Sequence, residues 1–249
     1  MKNKKICLYC QVGRSLEMAQ FSIDSAFANL GMSREDVDIV FICWKTAPEV
    51  YQWLINNNYK WVDMEYDEGK GFLWNLYKGW NLGYEVGYKI ADYVCPIATD
   101  HAFYANWLAN MYKHATSNRI VNCKLIEPGS LPTLHTAINC GVTTYGNFDF
   151  ESFQIAAKYF YHFGKNVLIT DDTQYGHRLD AMPFICPKDV WERFGPMKQE
   201  LNEFGITGDT DFFDRCKAGG VEITKAIDGI SYHCGGLETR VNQAQNVYT

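Results

Sequence analysis

No stretch of the 249-residue chain holds eighteen apolar residues in a row, which excludes a membrane-spanning helix. Behind the basic start, Met1 to Lys5, the apolar run lasts only from Ile6 to Cys10 and ends in Gln11, Gly13 and Arg14. That is too short for the core of a signal peptide, so the chain reads as cytoplasmic with no integral membrane segment. Positive charge is scarce as well. With 23 Lys+Arg against 29 Asp+Glu the net charge is -6, which argues against a long nucleic-acid track because a phosphate backbone needs a basic face. Internal repeats, low-complexity segments and long linkers are absent, which points to one domain. The nine cysteines are odd in number and scattered through apolar runs, as small buried hydrophobes of a reducing compartment would be. Cys7-x-x-Cys10 has zinc or redox spacing but no second pair to match it.

What is present is an ordinary globular balance, 47% hydrophobic and 21% charged, with an aromatic share of 15% that includes 16 Tyr and 7 Trp. Such rings serve either a Tyr-rich core or the stacking of flat substrates and sugars. The surplus of carboxylates permits a site that holds a metal ion.

Periodicity organises the first half clearly. Residues 6–10 read as a buried strand, and Ser15 caps a helix whose apolar positions are Leu16, Ala19, Ile23, Phe27 and Leu30, with Gly31 at its stop. Val37 to Trp44 is a second strand, Pro48 to Ile55 a short helix, and Tyr59 to Met64 a third strand. Alternation of this kind is the signature of a parallel sheet with crossover helices. A longer helix covers Phe72 to Ile90, with Gly79, Gly83 and Gly87 on one face, where they allow close approach to a sheet or ligand. Tyr93 to Ala98 is a strand ending abruptly in Thr99-Asp100-His101. A helix through Trp107, Leu108 and Met111 and a strand from Arg119 to Ile126 follow. Residues 128–180 break the rhythm, although a helix from Asp149 to Phe163 is expected, with Phe153, Ala156, Tyr159, Phe160 and Phe163 on its apolar side, and then a short strand from Asn166 to Thr170. The chain closes with a strand at Pro183 to Pro187, a helix from Lys188 to Phe194 stopped by Gly195, a helix from Asp209 to Ala218 and a strand from Val221 to His233.

In open α/β sheets ligands sit beyond the carboxyl ends of strands. Asp100 follows the fourth strand, Asp209 and Asp211 open a helix after the loop 205–208, and His233 ends the last strand. An Asp and a His meeting at such an edge can bind a divalent ion together with diphosphate oxygens. A carboxylate beside it can act as a general base. Each residue also has a plainer explanation: Asp100 as a turn residue, Asp209 as a helix cap, and Asp211 with Arg215 as a surface pair four residues apart.

Two stretches carry a family resemblance. One runs from Asn81-Leu82-Gly83-Tyr84-Glu85-Val86-Gly87 through Ala91-Asp92-Tyr93-Val94 to Thr99-Asp100. The other runs from Pro183-Phe184-Ile185 through Val190-Trp191-Glu192-Arg193-Phe194-Gly195 and Gly208-Asp209-Thr210-Asp211-Phe212 to Arg215, Gly219-Gly220 and Tyr232-His233. In order and spacing, over about half the chain, these stretches resemble the inverting family 2 glycosyltransferases. The resemblance implies an α/β fold: a single GT-A (Rossmann-like) domain with a mostly parallel central sheet flanked by helices. Residues 1–127 would form the nucleotide-sugar half, 128–180 an insertion on the acceptor side, and 181–249 the acceptor and catalytic half. It also implies roles. Asp100 would match the last acidic residue of an Asp-x-Asp motif and hold Mn or Mg, with His233 completing the metal shell. Asp209 would match the catalytic base, with Asp211 as second choice. Gln11 and Asn81 would lie on the donor side. Trp44 stands outside the family pattern, and its ring is expected to stack the base in place of the hydrogen bonds that the missing acidic loop would make. Residues 128–180 interrupt the family pattern; they are expected either to shape the acceptor pocket through His135, Tyr145, Asp171, Asp172 or Tyr175, or to form a solvated insertion.

The sequence departs from the pattern at Ala98, where the first acid of the motif is expected, at Cys43-Trp44-Lys45-Thr46 in place of an acidic loop, at Trp80, and at Gly208. The expected reaction is transfer of a sugar from a nucleotide-sugar donor, a UDP-sugar foremost, to a hydroxyl of a glycan, lipid-linked sugar, protein or modified nucleobase. The alternatives are a non-catalytic nucleotide-sugar or glycan-binding protein of the same fold and, third, a nucleotidyltransferase, for which Gly13-Arg14 is only a trace of the required loop.

Overall fold

The computed structural model describes residues 5–13, 15–128, 138–170, 182–200 and 207–234. The first half alternates as its periodicity predicts: β1 (Ile6–Val12), α1 (Leu16–Ala28), β2 (Val37–Cys43), α2 (Pro48–Asn56), β3 (Lys60–Asp63), α3 (Phe72–Gly87) and β4 (Tyr93–Ile97). Ser15 caps α1 by accepting the Met18 N–H at 3.3 Å. The second half is β5 (His101–Phe103), α4 (Trp107–Tyr112), β6 (Arg119–Ile126), α5 (Phe150–Phe163), β7 (Leu168–Ile169), β8 (Phe184–Pro187), α6 (Lys188–Phe194), α7 (Gly208–Ala218) and β9 (Glu222–His233). β5 has no counterpart in the sequence reading, because three residues are too few to show a period.

The strands form one sheet in the order β3-β2-β1-β4-β8-β6-β9-β5, with β7 paired to β9. The parallel character is concentrated in its first half, where β1 runs parallel to β2 and β4, and β2 to β3. Their carboxyl ends therefore share one edge. β8 is antiparallel to both β4 and β6 and joins this half to the rest, in which β6 and β9 are parallel and β5 and β7 run against β9.

Alternation along β1 sends Ile6, Leu8 and Cys10 to one face, where they pack with α1, α2 and α4 through Ile23, Trp53 and Trp107. Cys7 and Tyr9 go to the other, with Tyr84 of α3, Val190 of α6 and Phe212 and Phe213 of α7. Cys7 and Cys10 thus lie on opposite faces and cannot chelate one ion together. All nine cysteines are buried free thiols. The glycine stripe of α3 is a packing device: a Cβ on Gly83 would come within 2.5 Å of the Tyr9 ring, one on Gly87 within 2.7 Å of Val94, and one on Gly79 would strike Gln11.

On α5 the apolar side is narrower than periodicity suggests. Phe153, Ala156 and Ala157 are buried, whereas Tyr159 and Phe163 are 60% and 69% exposed. With Ile155 they make a second stripe, four residues apart, that faces outward.

Candidate active site

The turn after β4 is held from three sides. Ser22 of α1 donates to the Ala98 carbonyl at 2.7 Å, Thr143 donates to the Thr99 carbonyl at 3.2 Å, and the Cys234 N–H donates to the Asp100 carbonyl at 3.0 Å. Strand pairing then assembles the cluster. β5 runs antiparallel to β9 with His101 directly opposite His233, and β6 runs parallel to β9 with Ile126 beside Tyr232, which carries Glu127 alongside His233.

His233 Nε2 lies 3.0 Å from Asp100 Oδ2, and its Nδ1 lies 3.1 Å from Glu127 Oε1. His101, whose Nε2 is 4.0 Å from Asp100 Oδ1, crosses the His233 ring edge-on at a centroid distance of 4.9 Å. One ligand atom each from Asp100, His101 and His233 falls within 4.8 Å of the others. A carboxylate and two imidazoles this close suit a divalent transition ion. The charges diverge within the pair of rings. Burial holds His101 down at about 4, as a neutral imidazole. Burial alone would lower His233 too, but the charges and hydrogen bonds of Asp100 and Glu127 outweigh it and raise it to about 10.

Asp209, in the first turn of α7, is fixed by one oxygen. Its Oδ1 accepts from Tyr77 Oη of α3 at 2.8 Å, Thr207 Oγ1 at 2.6 Å and the Thr210 N–H at 2.9 Å. Among the described residues no hydrogen bond reaches Oδ2. Burial, reinforced by the Asp209 charge, pushes the Tyr77 phenol up, so it stays a donor. Thr207, not Asp209, occupies the N-cap position of the helix, and its side chain makes no capping hydrogen bond. Asp211 is differently placed: Lys198 Nζ donates to Oδ1 at 2.5 Å and Arg215 Nε to Oδ2 at 2.7 Å. Burial would raise its carboxyl, but these two cations outweigh that and hold it below the usual range. With both oxygens tied to cations it is poorly suited to take a proton, which corrects its standing as second choice for base.

Of the residues expected on the donor side, Gln11 Oε1 accepts from Trp44 Nε1 at 2.8 Å while its Nε2 donates to the Leu76 carbonyl at 3.0 Å. The amide ties the ends of β1 and β2 to α3 one residue before Tyr77. Trp44 stacks on Tyr66 at 5.5 Å with an interplanar angle of 16°. Asn81 is a packing residue: its amide donates to the Met197 carbonyl and accepts the Met197 N–H, both at 2.9 Å, and it is buried. Both ends of the amide bind backbone, so it does not present itself to a donor. Tyr145 is half-exposed, packs edge-on against Phe21 and donates to Asp24 Oδ2 at 2.5 Å. His135, Asp171, Asp172 and Tyr175 lie outside the described residues.

Sequence reasoning passed over His101 and Glu127 as site residues. Their only signal is position: each follows an apolar strand at the edge where Asp100 was sought.

No protein-family model and no curated protein matches the sequence. Solved structures do. S. aureus TarS 1-349 in complex with UDP superposes with a TM-score of 0.61 at 11% identity over 92% of this chain and 60% of that one. GalNAc-T7 with UDP, GalNAc and Mn2+ gives 0.59 at 9% identity over 94% and 44%. The mannosyltransferase PcManGT from Pyrobaculum calidifontis with GDP-Man and Mn2+ gives 0.59 at 11% over 99% and 63%. The fold is GT-A. At these identities the likeness concerns the fold, and the chain spans less than two thirds of each of these proteins. Within the GT-A fold the Asp100 turn follows β4, Trp44 follows β2 and Gln11 is the last residue but one of β1, so all three lie at the carboxyl ends of the parallel strands, the edge at which α/β sheets bind ligands.

Proposed function

We propose that the protein transfers a sugar from a nucleotide-sugar donor to an acceptor hydroxyl, with a divalent ion and inversion at the anomeric carbon. The observation that carries this reading is the meeting of Asp100 and His233 at 3.0 Å, two residues 133 positions apart that the family order singles out. The neighbours' UDP, GDP-Man and Mn2+ support it. Asp100, His101 and His233 would hold the ion, which when bound offsets charge building on the leaving diphosphate. Two nitrogen donors in three favour Mn over Mg, whose preferred ligands are oxygens. Asp209 Oδ2 takes the acceptor proton as that hydroxyl attacks from the face opposite the leaving group. The three hydrogen bonds on Oδ1 hold the carboxylate in one orientation, so no rotamer search precedes proton transfer. Gln11 and Trp44 border the nucleobase, and the segment carrying Thr143 lies on the acceptor side.

The test is a panel of nucleotide-sugars with Mn2+, following nucleotide release with and without acceptors. Asp209→Asn should lower kcat by about 10²–10⁴-fold while donor affinity holds. Full turnover in that variant would remove Asp209 as the base. Donor binding without turnover across all acceptors would favour a binding protein of the same fold.

A further inference from the structure

Glu127 is an acid buried to 3% exposure at the end of an apolar strand, a position that is costly for a carboxylate without a task. Its backbone is anchored, with the carbonyl accepting the Ile138 N–H at 2.8 Å. The parallel pairing of β6 with β9 sets its place beside His233. β9 is itself fixed one residue earlier, where Tyr232 Oη donates to the Gly141 carbonyl at 2.9 Å. We propose that Glu127 is the positioning residue of the ion site: its carboxylate accepts the Nδ1–H of His233 and so presents the Nε2 lone pair to the ion beside Asp100. This rests on the reading of that cluster as an ion site.

The geometry separates positioning from ligation. Glu127 meets the ring at Nδ1, the nitrogen directed away from Asp100, and the set of mutually close ligand atoms comprises Asp100, His101 and His233 without it. A neutral imidazole carries one proton, and the acceptor at one nitrogen decides which nitrogen keeps its lone pair. A buried carboxylate at Nδ1 makes that choice and raises the basicity of the ligating nitrogen. Removing such a partner typically weakens metal affinity by about 10–100-fold.

The experiment measures Mn2+ affinity by electron paramagnetic resonance for the wild type, Glu127→Gln and Glu127→Ala. The His233 tautomer is read from ¹⁵N–¹H correlations in the Zn2+-loaded proteins. The wild type should show a protonated Nδ1. Glu127→Ala should lose about 10–100-fold in affinity together with a single protonated Nδ1. Glu127→Gln, whose amide oxygen still accepts the Nδ1–H, should keep the tautomer and recover most of the affinity. Wild-type affinity in Glu127→Ala, with Nδ1 still protonated, overturns the proposal and leaves the ion site standing. A folded wild type that binds no Mn2+ overturns the ion site itself. Should Glu127→Ala fail to fold, Glu127→Leu, which fills the space but accepts no hydrogen bond, decides: wild-type Mn2+ affinity with Nδ1 still protonated in that variant overturns the proposal.

Discussion

The two ring nitrogens of His233 face two carboxylates, and that sandwich sets how the proposed ion site should respond to pH. With no ion bound, Asp100 and Glu127 keep the ring protonated up to about 10, whereas burial keeps His101 neutral down to about 4. Binding an ion through Nε2 of His233 must therefore release one proton from that ring and none from His101. Protons compete with the metal, so affinity rises with pH: between pH 6 and 9 it should increase by about tenfold per unit. A calorimetric Mn2+ titration repeated in buffers of different ionisation enthalpy would count the protons, and a pH-independent affinity would contradict the arrangement. Asp209 and Asp211 differ by the same kind of local reason. They begin one helix two residues apart, yet one keeps an oxygen without a hydrogen bond among the described residues, and the other is clamped by Lys198 and Arg215. Composition cannot separate them, because the decisive partners Tyr77 and Lys198 come from elsewhere in the chain.

At the scale of elements, α3 is the part most readable in advance. Its glycines recur every four residues, and each admits a side chain of the sheet or its edge: Gln11, Tyr9 and Val94. Gly83→Ala adds a methyl group against the Tyr9 ring, which is buried and packed edge-on to Tyr84 at 5.2 Å. Overpacking of about 1–3 kcal/mol should exceed the helix-propensity gain of about 1 kcal/mol. Urea unfolding should then show a lower midpoint for Gly83→Ala and little change for Gly146→Ala, whose added methyl meets nothing within 4 Å. The helices and strands of the first half were legible because each spans several turns or alternations of one period. β5 was not, since three residues show no period, and the outward stripe of α5 was not, since an amphipathic pattern does not say which apolar residues find a neighbour.

At the scale of the whole molecule, the proposed ion site draws on the β4–β5 turn, the end of β6 and the end of β9, so an ion bound there would tie the mixed half of the sheet to the parallel half. An ion that binds only the folded chain stabilises it by about 2.7 kcal/mol at a hundredfold excess over Kd. Each kcal/mol moves Tm by about 2–4 °C in a domain of this size. Mn2+ should raise Tm in a thermal scan, EDTA should reverse it, and Asp100→Ala and His233→Ala should abolish the response. An equal rise in those variants would place the ion elsewhere. The sequence by itself determined the alternating order of elements, the burial of the cysteines and the strand-end positions of Asp100 and His233, because these follow from periodicity and local polarity along the chain. Only the tertiary structure decided that His101 and Glu127 join that pair, that Asn81 serves the Met197 backbone, and that Asp209 keeps an oxygen without a hydrogen bond among the described residues while both oxygens of Asp211 are held by Lys198 and Arg215. Those outcomes depend on strand register and on partners beyond the local pattern, more than a hundred residues away for His233 with Glu127, Asn81 with Met197 and Asp209 with Tyr77, and 13 residues away for Asp211 with Lys198.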